Sequence, residues 1–327
     1  MERKGWIDRA KGTGMILILL FHTSMYYVGR DIPPYSMYVE NALAMFFFIS
    51  GYLFIANGAV LDWRKKLRSI LQKLVIPYLI YTPVIGVLKS FAYDTAINPL
   101  NIMVRVLSGE ASWFVSSLIV AEVLFLIVVL ISRGKLLITA SLCTLPYILV
   151  AYDTDITPFS ILNVSFIGLA FLFLGHIFRR CEHVIDNMHS ASYIPLFLLL
   201  AIMKVYEYVV GINMTFYVIQ IDNFALFLAD TALSSLCLVW LCKRLPSIPP
   251  LEYTGSHSLI YYFICGGVPL IVSRLMPQYT EGSYHLLAAA FVIVYLCSTA
   301  IVWAIYKWLP WTTGKAPIPF VDGLRRG

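Results

Sequence analysis

Residues 113 to 132 read WFVSSLIVAEVLFLIVVLIS, an apolar run in which Glu122 is the only charged side chain. A bilayer core is about 30 Å thick, and a helix crosses it with about 20 consecutive apolar residues. This stretch therefore predicts a membrane-spanning α-helix. The rest of the chain has a similar character: of 327 residues 60% are hydrophobic and 13% charged, with a mean hydropathy of +0.79. This composition is far from that of a soluble domain.

Further stretches of similar length and hydropathy predict an all-α integral membrane protein with about ten transmembrane helices. No internal repeat and no hydrophilic segment long enough for a second domain interrupts them, so we expect one membrane domain over residues 1–327. The predicted spans are 11–29, 39–57, 73–92, 113–132, 135–152, 160–178, 190–211, 222–242, 256–275 and 285–308.

The basic residues predict the orientation, because cytoplasmic loops collect Lys and Arg. With the N-terminus inside, ten helices place all but five of the 24 Lys and Arg on one side. One missing or extra helix in the middle would move the later basic residues to the opposite side and remove this asymmetry. We therefore expect both termini to be cytoplasmic. The five exceptions are Arg30, Lys89, Arg105, Lys204 and Arg274.

Composition also argues against several classes of function. The net charge of +6 comes from basic clusters in short loops beside apolar segments, so no nucleic-acid partner is expected. The six cysteines form no C-x-x-C pair and no ligand spacing with histidine. We therefore expect neither a disulfide framework nor a metal site.

Ionisable residues deep in a span are costly and commonly functional, and His22, Glu122 and Asp230 are the deepest. Lys11 precedes His22 by eleven residues, which is three helical turns plus about 20°, so both side chains point to one face about 16 Å apart. An acyl-coenzyme A fits this spacing, with its phosphates near Lys11 and Arg9 and its thioester near His22. A neutral imidazole could then take the proton of an attacking hydroxyl.

A structural interpretation of the same two residues stays open. Lys11 would then extend along the membrane interface, and His22 would be a packed, hydrogen-bonded helix residue.

Six short patterns, in order along the chain, resemble the membrane acyltransferase family three, and within it the branch of fucose 4-O-acetylase-like proteins. They are WIDRAKG at 6–12, the basic residue eleven before His22, FFFISGYL at 46–53, KLVIPY at 73–78, SWF at 112–114 and GSHSLIYY at 255–262.

The resemblance implies an O-acyltransferase of the bacterial inner membrane with a ten-helix core. Members of this family move acyl groups, usually acetyl from acetyl-coenzyme A, onto hydroxyls of cell-surface carbohydrates or related acceptors. The implied partners are therefore acyl-coenzyme A, a carbohydrate or lipid-linked glycan, and the bilayer, and the implied general base is His22. The oligomeric state stays open.

Two departures from the family pattern affect the expected site. Many members place a histidine after the helix-nine tyrosine, where this chain has Phe263-Ile264-Cys265; we expect Cys265 to be a packing residue. The arginine pair that some members carry before helix three is matched only in part, by Arg68 and Lys73. These two residues, with Lys11 and Arg9, are the expected coenzyme A contacts.

Four further residues are candidates for the site. Glu122 would orient His22 or hold the acceptor, or would make a structural hydrogen bond. Ser50 is expected to make a positioning contact rather than to act as a nucleophile. Trp113 and Tyr262 are candidate acceptor contacts, although an interfacial aromatic belt is the favoured interpretation of Trp113.

The chief alternative function is a transporter or flippase for a polysaccharide or a lipid-linked precursor, with Glu122, Asp230 and His22 along its path. The broken helices in paired halves that are typical of transporters are not apparent in the sequence. A sensor without chemistry is a third class, which retention of both Lys11 and His22 disfavours. Asp230 and Lys204 are expected to pair across helices as a structural contact.

Overall fold

The computed structural model describes residues 4–32, 34, 37–55, 61–93 and 95–315. In this part of the chain, helices lie at every predicted span. They are α1 (Gly5–Tyr27), α2 (Val39–Phe54), α3 (Trp63–Ile70), α4 (Ile76–Ala92), α5 (Pro99–Leu107), α6 (Trp113–Ser132), α7 (Leu136–Tyr152), α8 (Ser160–Asn187), α9 (Ile194–Val210), α10 (Phe224–Arg244), α11 (Pro249–Ser256), α12 (Ser258–Ile264), α13 (Val268–Leu275) and α14 (Tyr284–Trp308).

Six helical segments in the described ranges are long and apolar enough to cross a bilayer, and α12 with α13 would make a seventh if the bent pair is one span. Helices α2 and α7 are apolar but shorter. A helical, multi-pass membrane fold is thus confirmed, whereas the count of ten and the cytoplasmic termini stay predictions. The six segments are Trp63–Ala92, Glu110–Ser132, Ser160–Asn187, Ser190–Val210, Phe224–Arg244 and Tyr284–Trp308.

Polar side chains define where several helices begin. Asp62, Asn98 and Asn223 precede α3, α5 and α10, and each side-chain oxygen accepts a hydrogen bond from a backbone amide three residues later. Such caps satisfy amides that have no partner within the first helical turn.

Glycines permit two close helix crossings that position the candidate site. A β-carbon at Gly51 in α2 would lie 1.8 Å from the carbonyl oxygen of Leu172 in α8, and one at Gly255 in α11 would lie 1.7 Å from that of Asp8 in α1. Only glycine allows backbones to approach this closely. The crossings fix α1, which carries Lys11 and His22, and α2, which carries Ser50.

The predicted span 256–275 is not one continuous helix. Helix α12 ends at Ile264 and α13 begins at Val268, with a bend of 51° between them. Gly266 and Gly267 lie at the break, and Pro269 in the first turn of α13 has no amide hydrogen to donate across it. The proline accounts for a missing hydrogen bond at the interruption, which a hydropathy scan does not detect.

The third span also begins earlier than predicted. Helix α3 starts at Trp63 and continues through a π-helical turn, Leu71–Val75, into α4. Its basic residues therefore belong to a helix rather than to a loop.

One end of the bundle is covered by short elements. Helix α5 and a small antiparallel hairpin, β1 (Met214–Thr215) paired with β2 (Gln220–Ile221), lie beside the His22 half of α1. The predicted ion pair of Lys204 and Asp230 is present, with Nζ 2.7 Å from Oδ2. Glu207 joins it from the same helix as Lys204, at 2.9 Å.

Candidate active site

One cavity contains Lys11 and is named the Lys11 cavity. It has a volume of about 370 Å³ and lies between α1, α2, α3, α6 and α12. Its polar lining residues include Asp8, Lys11, Ser50, Lys66, Lys73, Glu122, Ser256 and Lys315.

The Lys11 cavity is electropositive. Among the described residues, four lysines line it against two carboxylates, those of Asp8 and Glu122, which gives a formal excess of two positive charges. A low-dielectric protein environment strengthens the attraction of such a cluster for an anion.

Ser50 and Glu122 form a polar contact on the wall of the Lys11 cavity. The Ser50 hydroxyl donates a hydrogen bond to Glu122 Oε1, and Lys66 Nζ lies 3.0 Å from Glu122 Oε2. The buried carboxylate is therefore engaged at both oxygens. Because His22 lines a different cavity, this arrangement favours the structural hydrogen bond over the orientation of His22 among the roles expected for Glu122.

The second cavity contains His22 and is named the His22 cavity. It has a volume of about 540 Å³ and is lined by parts of α1, α2, α4, α5, β1 and α12. Its charged lining residues are Asp31, Lys89, Arg105 and Glu110, and its aromatic ones include Trp113, Tyr217 and Tyr262.

The His22 imidazole is half-buried and faces this cavity. Its ring stacks on Tyr26, with centroids 6.2 Å apart, and meets the Phe21 ring edge-on at 5.3 Å. No residue in the described ranges forms a hydrogen bond with the ring. A ring nitrogen is thus open to a ligand in the cavity, which differs from the hydrogen-bonded packing residue of the structural interpretation.

A single stripe of α1 serves both cavities. Lys11 and Met15 line the first, whereas Ile18 and His22 line the second. These positions follow the i, i+4, i+7, i+11 spacing of one helical face. Tyr262 lies on the wall of both cavities, and its ring centroid is 5.2 Å from that of Phe114.

Two of the four expected coenzyme A contacts lie elsewhere. Arg9 pairs with Glu252 and donates to the carbonyl of Cys242 at 2.9 Å, so it holds helices together. Arg68 is exposed and does not line the Lys11 cavity. Arg9 is two residues from Lys11, and Arg68 is two residues from Lys66. Two residues of an α-helix turn about 200°, so both arginines point away from the Lys11 cavity.

Lys66 and Lys315 were not identified as candidate site residues from the sequence. Lys66 has the same helical phase as Lys73, seven residues later, but the α3 region had been interpreted as a basic loop. Lys315 reaches the cavity from the segment after α14, where it also donates to the carbonyl of Ser256 at 2.8 Å. No local sequence pattern predicts that contact.

Both aromatic candidates lie at the His22 cavity. Trp113 packs against Phe216 and Tyr217, with ring centroids 5.8 and 5.0 Å apart. Trp113 thus lines a cavity beside the hairpin, and its assignment to an interfacial belt stays a prediction. Cys265 is 4% exposed and lines the same cavity at the helix break.

A family model described as an acyltransferase domain matches residues 4–310. The chain belongs to this family of membrane acyltransferases. The match extends over α1 to α14 and includes every residue described above at the two cavities except Lys315. No curated protein and no solved structure matches the acyltransferase.

Proposed function

We propose that this acyltransferase transfers acetyl from acetyl-coenzyme A to a hydroxyl of a cell-surface carbohydrate or lipid-linked glycan in a bacterial inner membrane. It would thus be an O-acetyltransferase of the fucose 4-O-acetylase-like branch. The observation that carries the proposal is the stripe of α1 with Lys11 in one cavity and His22 in the next, joined at Tyr262. Membership of an acyltransferase family favours this function over a transporter.

The Lys11 cavity suits the donor. Coenzyme A carries its negative charge on phosphates, and Lys11, Lys66, Lys73 and Lys315 offer ammonium groups to them. The uncharged pantetheine arm would then extend along Met15 and past Tyr262. The distance from Lys11 to His22, about 16 Å along the helix, is comparable to the length of that arm.

The His22 cavity suits the acceptor. Sugars present hydroxyls at their edges and apolar C–H groups on their faces. Trp113, Tyr217 and Tyr262 offer ring faces, while Asp31 and Glu110 can accept hydrogen bonds from hydroxyls.

The proposed reaction has His22 as general base. The acceptor hydroxyl donates to a neutral His22 nitrogen, which takes the proton as the oxygen attacks the thioester carbonyl carbon. The tetrahedral intermediate collapses with cleavage of the C–S bond, and the leaving thiolate recovers the proton from the imidazolium. The products are an O-acetyl ester and free coenzyme A. Ser50 and Glu122 keep Lys66 in place on the donor side.

The test combines a donor assay with product identification. Cells expressing the parent chain or His22→Gln at equal membrane levels are fed an isotopically labelled acetyl precursor, and their surface glycans are analysed by mass spectrometry. We expect labelled O-acetyl groups, removable by mild base, with the parent only. Equal labelling with both chains would refute the role of His22. No labelling with either chain would refute the proposed reaction.

A further inference from the structure

A third cavity lies beside the His22 cavity and is named the side cavity. It has a volume of about 430 Å³ and is formed by α4, α5 and the segment between them. Its wall combines aliphatic and aromatic carbon with polar side chains, those of Thr82, Ser90, Thr95, Asn98 and Asn101 among them.

The side cavity and the His22 cavity share two cations. Lys89 and Arg105 line both, together with the small or aliphatic residues Ile85 and Ala111. The two volumes are therefore adjacent, and the shared charges lie at their junction.

The formal charge differs between the two cavities. In the His22 cavity, Asp31 and Glu110 balance Lys89 and Arg105. Among the described residues of the side cavity, the same two cations face no carboxylate. Within the described part of the chain, the positive charge is thus uncompensated on the side that points away from His22.

Lys89 and Arg105 also differ from two of the other three exceptions to the charge asymmetry, Arg30 and Lys204. Arg30 pairs with Glu281 at 2.8 Å, and Lys204 pairs with Asp230. No described residue forms an ion pair or hydrogen bond with the side chain of Lys89 or Arg105. Two such cations facing one cavity leave an anion-binding capacity that the fold itself does not use.

The helix break contributes to this junction. Gly266, which follows α12, lies against the Lys89 ammonium, and a β-carbon there would be 3.2 Å from Nζ. The break therefore makes room for Lys89 beside the His22 cavity.

We infer that the acceptor is an anionic saccharide whose phosphate or carboxylate binds between Lys89 and Arg105, while the hydroxyl to be acetylated faces His22. This inference rests on the proposed function and adds the chemical class of the acceptor. Arginine presents paired N–H donors to phosphate or carboxylate oxygens, and lysine adds a point charge. The side cavity would then accommodate the group beyond the anion.

The test measures binding without the donor, so that it is independent of catalysis. The full chain in phosphatidylcholine nanodiscs is titrated with glucose 1-phosphate, glucuronate, glucose and inorganic phosphate. We expect glucose 1-phosphate or glucuronate to bind at least about tenfold more tightly than glucose, which is the effect of one charge-assisted contact. The anionic sugar that binds distinguishes phosphate from carboxylate.

Variants assign the preference to the two cations. Lys89→Met with Arg105→Met should remove it, and Arg105→Lys, which keeps the charge but loses the paired donors, should retain part of it. Arg30→Gln is the matched control, because it removes a cation from the same side but outside the cavities. Every variant should elute from a sizing column at the same volume as the parent, which verifies that it is folded.

Three outcomes would overturn the inference: no preference for the anionic sugars, a preference that survives the double substitution, or inorganic phosphate binding as tightly as glucose 1-phosphate. A failure of the proposed function would give a different set of results. In that case the anionic sugars bind and the preference depends on Lys89 and Arg105, but no acetyl moves from acetyl-coenzyme A to any acceptor.

Discussion

Lys11 and His22 project from one face of α1 into two separate cavities, and Tyr262 lies on the wall of both. A single helix thereby links a cationic compartment to one that contains an imidazole. Donor binding and proton transfer can be separated by about 16 Å in such an arrangement, so substitutions at the two ends should have different effects.

Lys11→Ala should weaken the binding of acetyl-coenzyme A by at least about tenfold, because it would remove the proposed charged contact to phosphate. The maximal rate at saturating donor should change much less. Calorimetric titration of the purified protein measures the affinity. Lys135→Ala, at an exposed lysine outside the cavity, is the control. Equal affinity of the Lys11 variant and the parent would move the donor site elsewhere.

Ser50→Ala tests whether Ser50 positions a neighbour or acts as a nucleophile. Its hydroxyl donates to Glu122, which also binds Lys66, so its loss should loosen this contact and raise KM for the donor. We expect kcat to stay above about a tenth of the parental value, since the proposed chemistry takes place at His22. Complete loss of turnover, together with a labelled acyl group on Ser50 in the parent, would contradict the positioning role.

Much of the fold follows from the sequence, because apolar segments of bilayer length form helices. Each predicted span overlaps a helix, including the shorter α2 and α7. The break at Gly266 was missed because a hydropathy scan does not register the missing amide hydrogen of Pro269. The hairpin at Met214–Ile221 is too short to produce a periodic pattern.

The candidate site was predictable along α1 and less so elsewhere. The helical spacing correctly predicted that Lys11 and His22 lie on one face of α1. The same spacing places Arg9, two residues before Lys11, on the opposite face, and this was overlooked. Lys89 and Arg105 were recognised only as exceptions to the charge asymmetry. Their meeting at one junction depends on the packing of α4 against α5, which no local pattern encodes.

The crossing of α1 and α11 should not tolerate a side chain at Gly255. In Gly255→Ala the new β-carbon would lie 1.7 Å from the Asp8 carbonyl oxygen, so the helices must separate. We expect a loss of about 1–3 kcal/mol or more in stability, with reduced donor binding because Lys11 moves with α1. Thermal denaturation of the solubilised protein measures the loss. Gly267→Ala, where the nearest atom is 3.8 Å away, should be close to the parent.

Tags test the orientation predicted from the basic residues. Reporter fusions at Met1 and at Gly327 should both report the cytoplasm, because the Lys and Arg collect on that side when the number of spans is even. A fusion at Arg30, one of the five exceptions, should report the opposite side. A periplasmic signal from Gly327 would rule out the ten-helix topology.

His22→Gln separates the general base from a packing residue. Glutamine retains a hydrogen-bonding side chain of similar reach, but it cannot take up a proton from the acceptor hydroxyl. General-base assistance is typically worth about 10²- to 10⁴-fold in rate, so acetyl transfer should fall by at least about a hundredfold. Affinity for acetyl-coenzyme A should change little, since its phosphates would be held at the Lys11 cavity. His22→Ala should be as inactive as His22→Gln, whereas a purely structural role predicts that glutamine preserves most of the turnover. The measurement is single-turnover transfer of labelled acetyl, with donor affinity determined on the same preparations. Near-parental turnover of His22→Gln at normal donor affinity would assign the proton transfer to another group.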